Sequence, residues 1–292
     1  MKTKSSVFLL IALVLQGCLW SNEPEKIPAY IRIKNFNFTS PSELGNNSQS
    51  ISDVWVYVDG KINGIYELPC IFPVLETGSY EVKLYAGIYP DGMHNVRISY
   101  PFFTSHKFQA TLVEKGVLEV TPEITYIDNL KLPVFMLEEF EKSFVLIEPS
   151  PQSDIDTLKI ETDSLPYIGK YGVIYGKKDV KEKIDWASVE EISISDPGSA
   201  VFLEMHFKST INFYAGVYAL NGFGGVTAIL DLVLLPRSDW RKVYVNLTDE
   251  IASQPLGTTF KILFRGETNG AIDTNGKPDY IALDNLKLLQ MK

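Results

Sequence analysis

Cysteine, histidine, runs of basic charge and long apolar stretches are all scarce in this 292-residue chain, and each scarcity excludes something. Two cysteines, Cys18 and Cys70, cannot build a disulfide framework, so stability must come from the core. Three histidines, His94, His106 and His206, are scattered without the spacing of a zinc site. No cluster of Lys or Arg offsets the formal charge of −9, and an acidic surface repels phosphate backbones, which excludes nucleic acid as a partner. The apolar run Val7–Leu15 is far shorter than the roughly 20 residues a spanning helix needs, and no later run is longer. A nucleophile elbow, a phosphate loop and a dinucleotide fingerprint are all missing. The acidic pairs Glu138/Glu139 and Glu190/Glu191 are sequence neighbours, which point to opposite faces of a strand and make no glycosidase pair. The expectation is a protein that is not an enzyme.

What is there begins at the N-terminus. Lys2 and Lys4 precede the apolar run, which ends in Leu15-Gln16-Gly17-Cys18. Charge, a short apolar segment and a small residue before the cut form an export signal over residues 1–17. The tetrapeptide resembles the lipobox of bacterial lipoproteins, with Gln16 in place of the usual small residue. The resemblance implies cleavage before Cys18, diacylglycerol on its thiol and palmitate-type acylation of the new amine. Two or more acyl chains hold a protein stably at a membrane, since each buried CH₂ contributes about 0.8 kcal/mol. Residues 18–28, polar and carrying Pro24 and Pro28, read as a tether. Leu19 rather than aspartate after the cysteine implies the outer membrane. Glu23 and Glu25 faintly resemble the surface-export signal of Bacteroidetes lipoproteins, and either membrane face stays open.

Cys70 sits in Leu68-Pro69-Cys70-Ile71-Phe72, with no local positive charge to activate it, and reads as an inert thiol. The body is rich in rings, with 15 Tyr, 16 Phe and 4 Trp. Aromatic and β-branched residues fit a pleated, half-buried surface. Tyr30–Phe36 and Val54–Val58 alternate cleanly, Asp59-Gly60 is a hairpin signal, and Glu81–Ala86 and Phe108–Leu112 are further strands. Residues 29–133 are therefore expected to form an antiparallel β-sandwich. Val56-Tyr57-Val58-Asp59-Gly60, Gly64 and Gly78-Ser79-Tyr80-Glu81-Val82 resemble PEGA-like envelope modules, which implies a spacer or interaction role.

Residues 134–292 form the second expected domain, again all-β. Ala200–Phe207, Ile211–Tyr218, Lys242–Leu247, Phe260–Arg265 and Tyr280–Leu289 read as strands, and Val180–Glu191 is the one stretch with a helical look. Phe140-Glu141, Asp239-Trp240-Arg241-Lys242-Val243-Tyr244 and Tyr280–Leu288 fall in the order of the opening, middle and closing strands of galactose-binding-like jelly rolls. This half resembles that family, so a C-terminal jelly-roll sandwich is expected. The pentapeptide Asp-Asn-Leu-Lys-Leu occurs at 128–132 and again at 284–288, closing each proposed domain.

The jelly-roll resemblance implies two kinds of site. A structural calcium would sit where opening and closing strands meet, at Glu141 and Asp284, with oxygen ligands suited to a hard cation. Glycan would be met by loop-borne rings, for which Tyr167, Tyr171, Tyr175, Trp186 and Phe223 are the candidates. Sheet core is the competing reading of every one of these rings. The function expected is a non-catalytic envelope lipoprotein that binds glycan. The alternatives are a structural component contacting other envelope proteins and, behind it, a hydrolase.

Overall fold

Val54, Val56 and Val58 of one strand are fully or almost fully buried, while Trp55 and Tyr57 between them face outward. This period of two recurs through a computed structural model that describes residues 25–291 apart from 76, 93–95, 128–129, 132–136, 164–168, 195 and 274–275. The leader, Cys18, His94 and Tyr167 lie outside the described residues.

Among the described residues the first half holds ten strands: β1 (Ala29–Ile33), β2 (Asn37–Thr39), β3 (Asp53–Val58), β4 (Lys61–Glu67), β5 (Cys70–Val74), β6 (Gly78–Ile88), β7 (Ile98–Ser99), β8 (His106–Leu112), β9 (Val117–Val120) and β10 (Glu123–Thr125). β4, β3, β6 and β7 form one sheet, which β8 joins through β6. β5-β1-β9 and the pair β10-β2 make up the opposite side. Antiparallel pairing dominates, but β1 with β9 and β2 with β10 run parallel. The hairpin at Asp59-Gly60 forms as its sequence dictates, with φ of 45° and 75° at the two residues.

The second half adds β11 (Leu130–Lys131), β12 (Leu137–Glu138), β13 (Ile147–Pro149), β14 (Leu158–Asp163), β15 (Gly169–Tyr175), β16 (Lys183–Ser188), β17 (Ile192–Ser193), β18 (Val201–Ser209), β19 (Phe213–Leu220), β20 (Val226–Leu234) and β21 (Arg237–Asn246). A five-residue helix α1 (Thr248–Ala252), β22 (Thr259–Glu267) and β23 (Tyr280–Met291) complete it. One sheet has the order β14-β15-β23-β18-β21, with β11 and β12 also on β23. The other has the order β13-β16-β22-β19-β20, with β17 also on β22. Phe140, Trp186, Met205, Phe213 and Phe264 fill the space between them. The stretch Val180–Glu191 holds strand β16 (Lys183–Ser188) rather than a helix, because Ile184 and Trp186 point into this core while Asp185 and Ala187 point away. Both halves are β-sandwiches, as the composition and alternation foretell.

β18 is buried on both faces. Val201, Leu203, Met205 and Phe207 enter the second core, while Phe202 on the opposite face joins the core of the first sandwich with Tyr244 and Leu289. The first sandwich meets them with Tyr100, Phe102, Phe103 and Tyr126, and Tyr100 lies 4.8 Å from Tyr244 between ring centroids. Asp91 N–H donates to the Tyr244 carbonyl at 2.8 Å, and Ser50 N–H to its hydroxyl at 2.9 Å. The outer face of β18, β21 and β23 thus completes the core of the first sandwich.

Candidate functional site

The outer face of the β13-β16-β22-β19-β20 sheet carries an open groove of about 340 Å³. Cross-strand register decides which side chains reach it. Ala187 pairs with Leu263, and Tyr218 with Lys261 on one side and Ala228 on the other, so all share one face. Ala187 and Tyr218 give an apolar floor, Pro149–Gln152 after β13 form one wall, and Leu220 with Val226 form the other. Glu148, Glu191 and Lys261 supply charge at the rim. Lys261 Nζ donates to Glu148 Oε1 at 3.1 Å, and Thr259 Oγ1 donates to Glu191 Oε2 at 2.7 Å.

Tyr218 is held by a buried ionic network. Its hydroxyl donates to Asp185 Oδ1 at 2.5 Å and accepts from an Arg265 terminal nitrogen at 2.9 Å. Asp185 also accepts from Ser150 Oγ and Arg265 Nε, each at 2.6 Å. Burial alone would raise the Asp185 pKa, but the hydrogen bonds from Ser150, Tyr218 and Arg265 hold it below the usual carboxylate range. Burial, and then the carboxylate beside it, push Tyr218 upward, so the phenol keeps its proton. The ring is therefore pinned by direct hydrogen bonds, and wall residue Ser150 is tied to the same anchor.

Beyond the groove the same face stays apolar. Val226, Leu230 and Val233 of β20 are exposed, and Tyr214, the register partner of Val233, lies beside them. A bulge between Ala215 and Gly216 shifts this pairing by one residue. Gly216 meets it with bare backbone, since a Cβ there would stand 2.1 Å from the Ile229 carbonyl oxygen.

The ring candidates from sequence scatter. Phe223 is fully exposed at the turn between β19 and β20, with its N–H bonded to the Asn221 side chain. Trp186 is on strand β16, not on a loop, and is sealed in the core with Nε1 donating to the Ile155 carbonyl at 3.0 Å. A side chain so enclosed does not meet a ligand. Tyr171 and Tyr175 are also on a strand, β15, and the structure does bring them together. Their hydroxyls donate to Glu161 at 3.2 and 2.8 Å, and Tyr171 packs edge-on against Trp240 at 5.0 Å. Lys208 Nζ stands 4.6 Å from the Tyr171 ring and 4.7 Å from that of Trp240. This cluster is a second, more closed aromatic surface, on the outer face of the other sheet. Tyr218, Lys261 and Arg265 escaped the sequence reading because strand residues were assigned to core, and only the register shows which side of the sheet they take.

Asp284 sits close to acidic neighbours, but its two oxygens already accept from Asn285 N–H and Asn285 Nδ2, both at 2.7 Å. Glu141 Oε1 accepts from Lys170 N–H at 2.6 Å. Among the described residues no three His, Cys, Asp or Glu side chains are placed to hold a metal ion. Cys70 is half-buried and free, with its thiol pKa raised by burial.

No family model matches this sequence, and no curated protein matches it either. Solved structures with a likeness include the family 30 carbohydrate-binding module of a cellulosomal cellulase of Clostridium thermocellum, at 16% identity and TM-score 0.37, covering 52% of this chain and 95% of that one. A xylan-binding domain from Paenibacillus barcinonensis matches at 12% identity and TM-score 0.36, over 54% of this chain and 94% of that one. The enzymatically active domain of a tailspike from bacteriophage CBA120 matches at 14% identity and TM-score 0.39, over 52% of this chain. This chain spans 20% of the length of that domain. At such scores the likenesses carry no argument about what this chain binds.

Proposed function

We propose that this chain is a non-catalytic lipoprotein of the outer membrane, held by acyl chains on Cys18, that binds glycan in the groove of its second sandwich. The observation that carries the reading is Tyr218, a ring fixed by Asp185 and Arg265 at the floor of an open groove. Sugars present apolar ring faces and a fringe of hydroxyls, so they suit an apolar floor with polar side chains around it. Gln152, Lys261, Glu148 and Glu191 provide donors and acceptors of both kinds at that fringe. The volume falls at the low end for small-molecule sites, which suits a short stretch of a longer chain passing through an open trough. Glu148 and Glu191 act as binding groups, each already tied to a neighbour on β22.

Affinity electrophoresis of the mature protein through gels containing a panel of polysaccharides tests this. Retardation by at least one polysaccharide, reduced in Lys261→Ala and Gln152→Ala, is expected. Unchanged mobility across the panel sinks the reading.

A second reading is favoured by the exposed stripe Val226, Leu230 and Val233 on the edge strand β20. An apolar edge is a place for another protein to pair, which would make this chain an assembly component. Crosslinking in cells would then trap a stoichiometric partner through β20, and Leu230→Lys would abolish the trap.

A further inference from the structure

Four exposed aliphatic side chains gather at one pole of the first sandwich. They are Ile27 before β1, Leu75 after β5, Val113 after β8 and Val117 at the start of β9. Register places them together: Ala29 pairs with Val74, Tyr30 with Val117, and Gly78 with Leu112. Lys115 N–H donates to the Pro28 carbonyl at 2.9 Å, and Tyr30 N–H to the Gly116 carbonyl at 2.8 Å. A groove of about 160 Å³ between β1, β8 and β9 opens at the same pole, lined by Tyr30, Val113, Val117 and Leu118 among others. The charged residues next to these side chains in sequence, Glu25, Lys26, Glu76, Glu114 and Lys115, sum to −1.

We infer that this pole seats in the lipid interface of the bilayer, an inference that rests on the acyl anchor proposed above. Two features select lipid as the occupant. The chain enters β1 at this pole, so the nine residues from Cys18 to Ile27 confine it within about 30 Å of the anchored cysteine. The opposite end of the sandwich is already covered. β6 runs from Gly78 at the pole to Ile88, and Pro90 just beyond it bridges to Tyr244 of the second sandwich. Aliphatic side chains beside a tether of this length enter the interface because it removes them from water, and flanks of only one net negative charge oppose entry weakly.

The geometry has a functional consequence. Eleven residues of β6 at about 3.3 Å each hold the second sandwich roughly 33 Å or more from the lipid surface. The groove is then carried clear of the headgroups by a rigid spacer rather than by a flexible linker.

The test uses the full-length protein purified from an expressing bacterium and reconstituted in vesicles of phosphatidylethanolamine and phosphatidylglycerol. Val113→Cys in a Cys70→Ala background takes an environment-sensitive thiol fluorophore, and Leu235→Cys in the second sandwich, also exposed, is the reference. A blue-shifted emission at position 113, quenched by brominated acyl chains and absent at position 235, is expected. A lipidated Cys18 by mass spectrometry with an unshifted label at 113 overturns this inference alone. A blue shift that brominated lipid does not quench means protein, such as a second copy, covers the pole, and also overturns it. A free thiol at position 18 sinks the anchor and this inference with it.

Discussion

The hydroxyl of Tyr126, in the first sandwich, lies 2.9 Å from both carboxylate oxygens of Glu204, in the second, and both side chains are buried. Tyr100 donates to the same carboxylate at 2.8 Å, and Lys242 Nζ stands 2.5 Å from it. Lys287 Nζ donates to the Tyr126 hydroxyl at 3.0 Å. One negative and two positive groups are thus enclosed where the sandwiches meet, with phenols filling the remaining hydrogen-bond positions. Burial acts to raise the Glu204 pKa, but Lys242 and Lys287 prevail and lower it, so the carboxylate is ionised at neutral pH.

Glu204→Ala leaves two ammonium groups buried without a counter-charge. Breaking a buried pair in this way destabilises by about 3–5 kcal/mol. Tyr126→Phe removes one hydrogen-bond donor to a charge and costs about 1.5–3 kcal/mol. Because Phe202, Tyr244 and Leu289 of the second sandwich complete the core of the first, urea unfolding followed by fluorescence and by circular dichroism should give one coincident transition in the wild type. Separate transitions in the wild type would show that the two halves unfold independently and that the junction is weak.

Two further groups at the junction make stability depend on pH at opposite ends of the scale. Burial, and then Lys242, lower the His206 pKa to about 3, so the folded protein holds this imidazole neutral. The unfolded chain binds a proton below about pH 6.5, and stability therefore falls as pH drops from there toward 3. Burial likewise lowers the Lys287 pKa to about 8. Between about pH 8 and 10.5 the unfolded chain is the more protonated, so stability from this group rises with pH through that window. Lys287→Met should raise the neutral-pH melting temperature and flatten the alkaline limb. A lower melting temperature would mean that Lys287 is needed to balance Glu204.

Both of these groups show what a single sequence conceals. The alternation in Val201–Phe207 marks a strand, and the apolar positions mark its inward face, but nothing local says that Glu204 and His206 on the other face are covered as well. They are buried because another sandwich lies on them, a long-range fact with no local signature. The same holds for Asp185, which sits between Ile184 and Trp186 with nothing in its neighbourhood to announce an arginine 80 positions later. Strand positions such as Tyr280–Leu288 and the Asp59-Gly60 turn were legible because their causes are local.

Asp284 works against stability at neutral pH. Burial, and then the charges of Glu139, Glu141 and Glu138, raise its pKa to about 7, while the Asn285 N–H acts the other way. The folded state therefore holds more protons than the unfolded one between about pH 4 and 7, and stability falls as pH rises across that window. Asp284→Asn removes the ionising group and keeps the shape. Its melting temperature should exceed that of the wild type at pH 7.5 and match it near pH 4. An equal difference at both values would exclude titration as the cause.

The groove prediction turns on Asp185 as a positioning residue for Tyr218. Asp185→Asn retains the volume and one hydrogen bond to Tyr218 but loses the charge that holds Arg265, leaving a buried guanidinium edge without its partner. The Tyr218 ring is then held less firmly, and glycan binding should weaken about tenfold, equivalent to about 1.4 kcal/mol. Arg265→Lys should weaken binding similarly, because an ammonium cannot bridge Asp185 and the Tyr218 hydroxyl with two nitrogens at once. Tyr218→Phe separates orientation from contact: it keeps the ring face and removes only the tether. Affinity lowered in all three variants, measured where each is fully folded, supports the network as the device that aims the ring, whereas wild-type affinity in Tyr218→Phe would show that packing alone positions it.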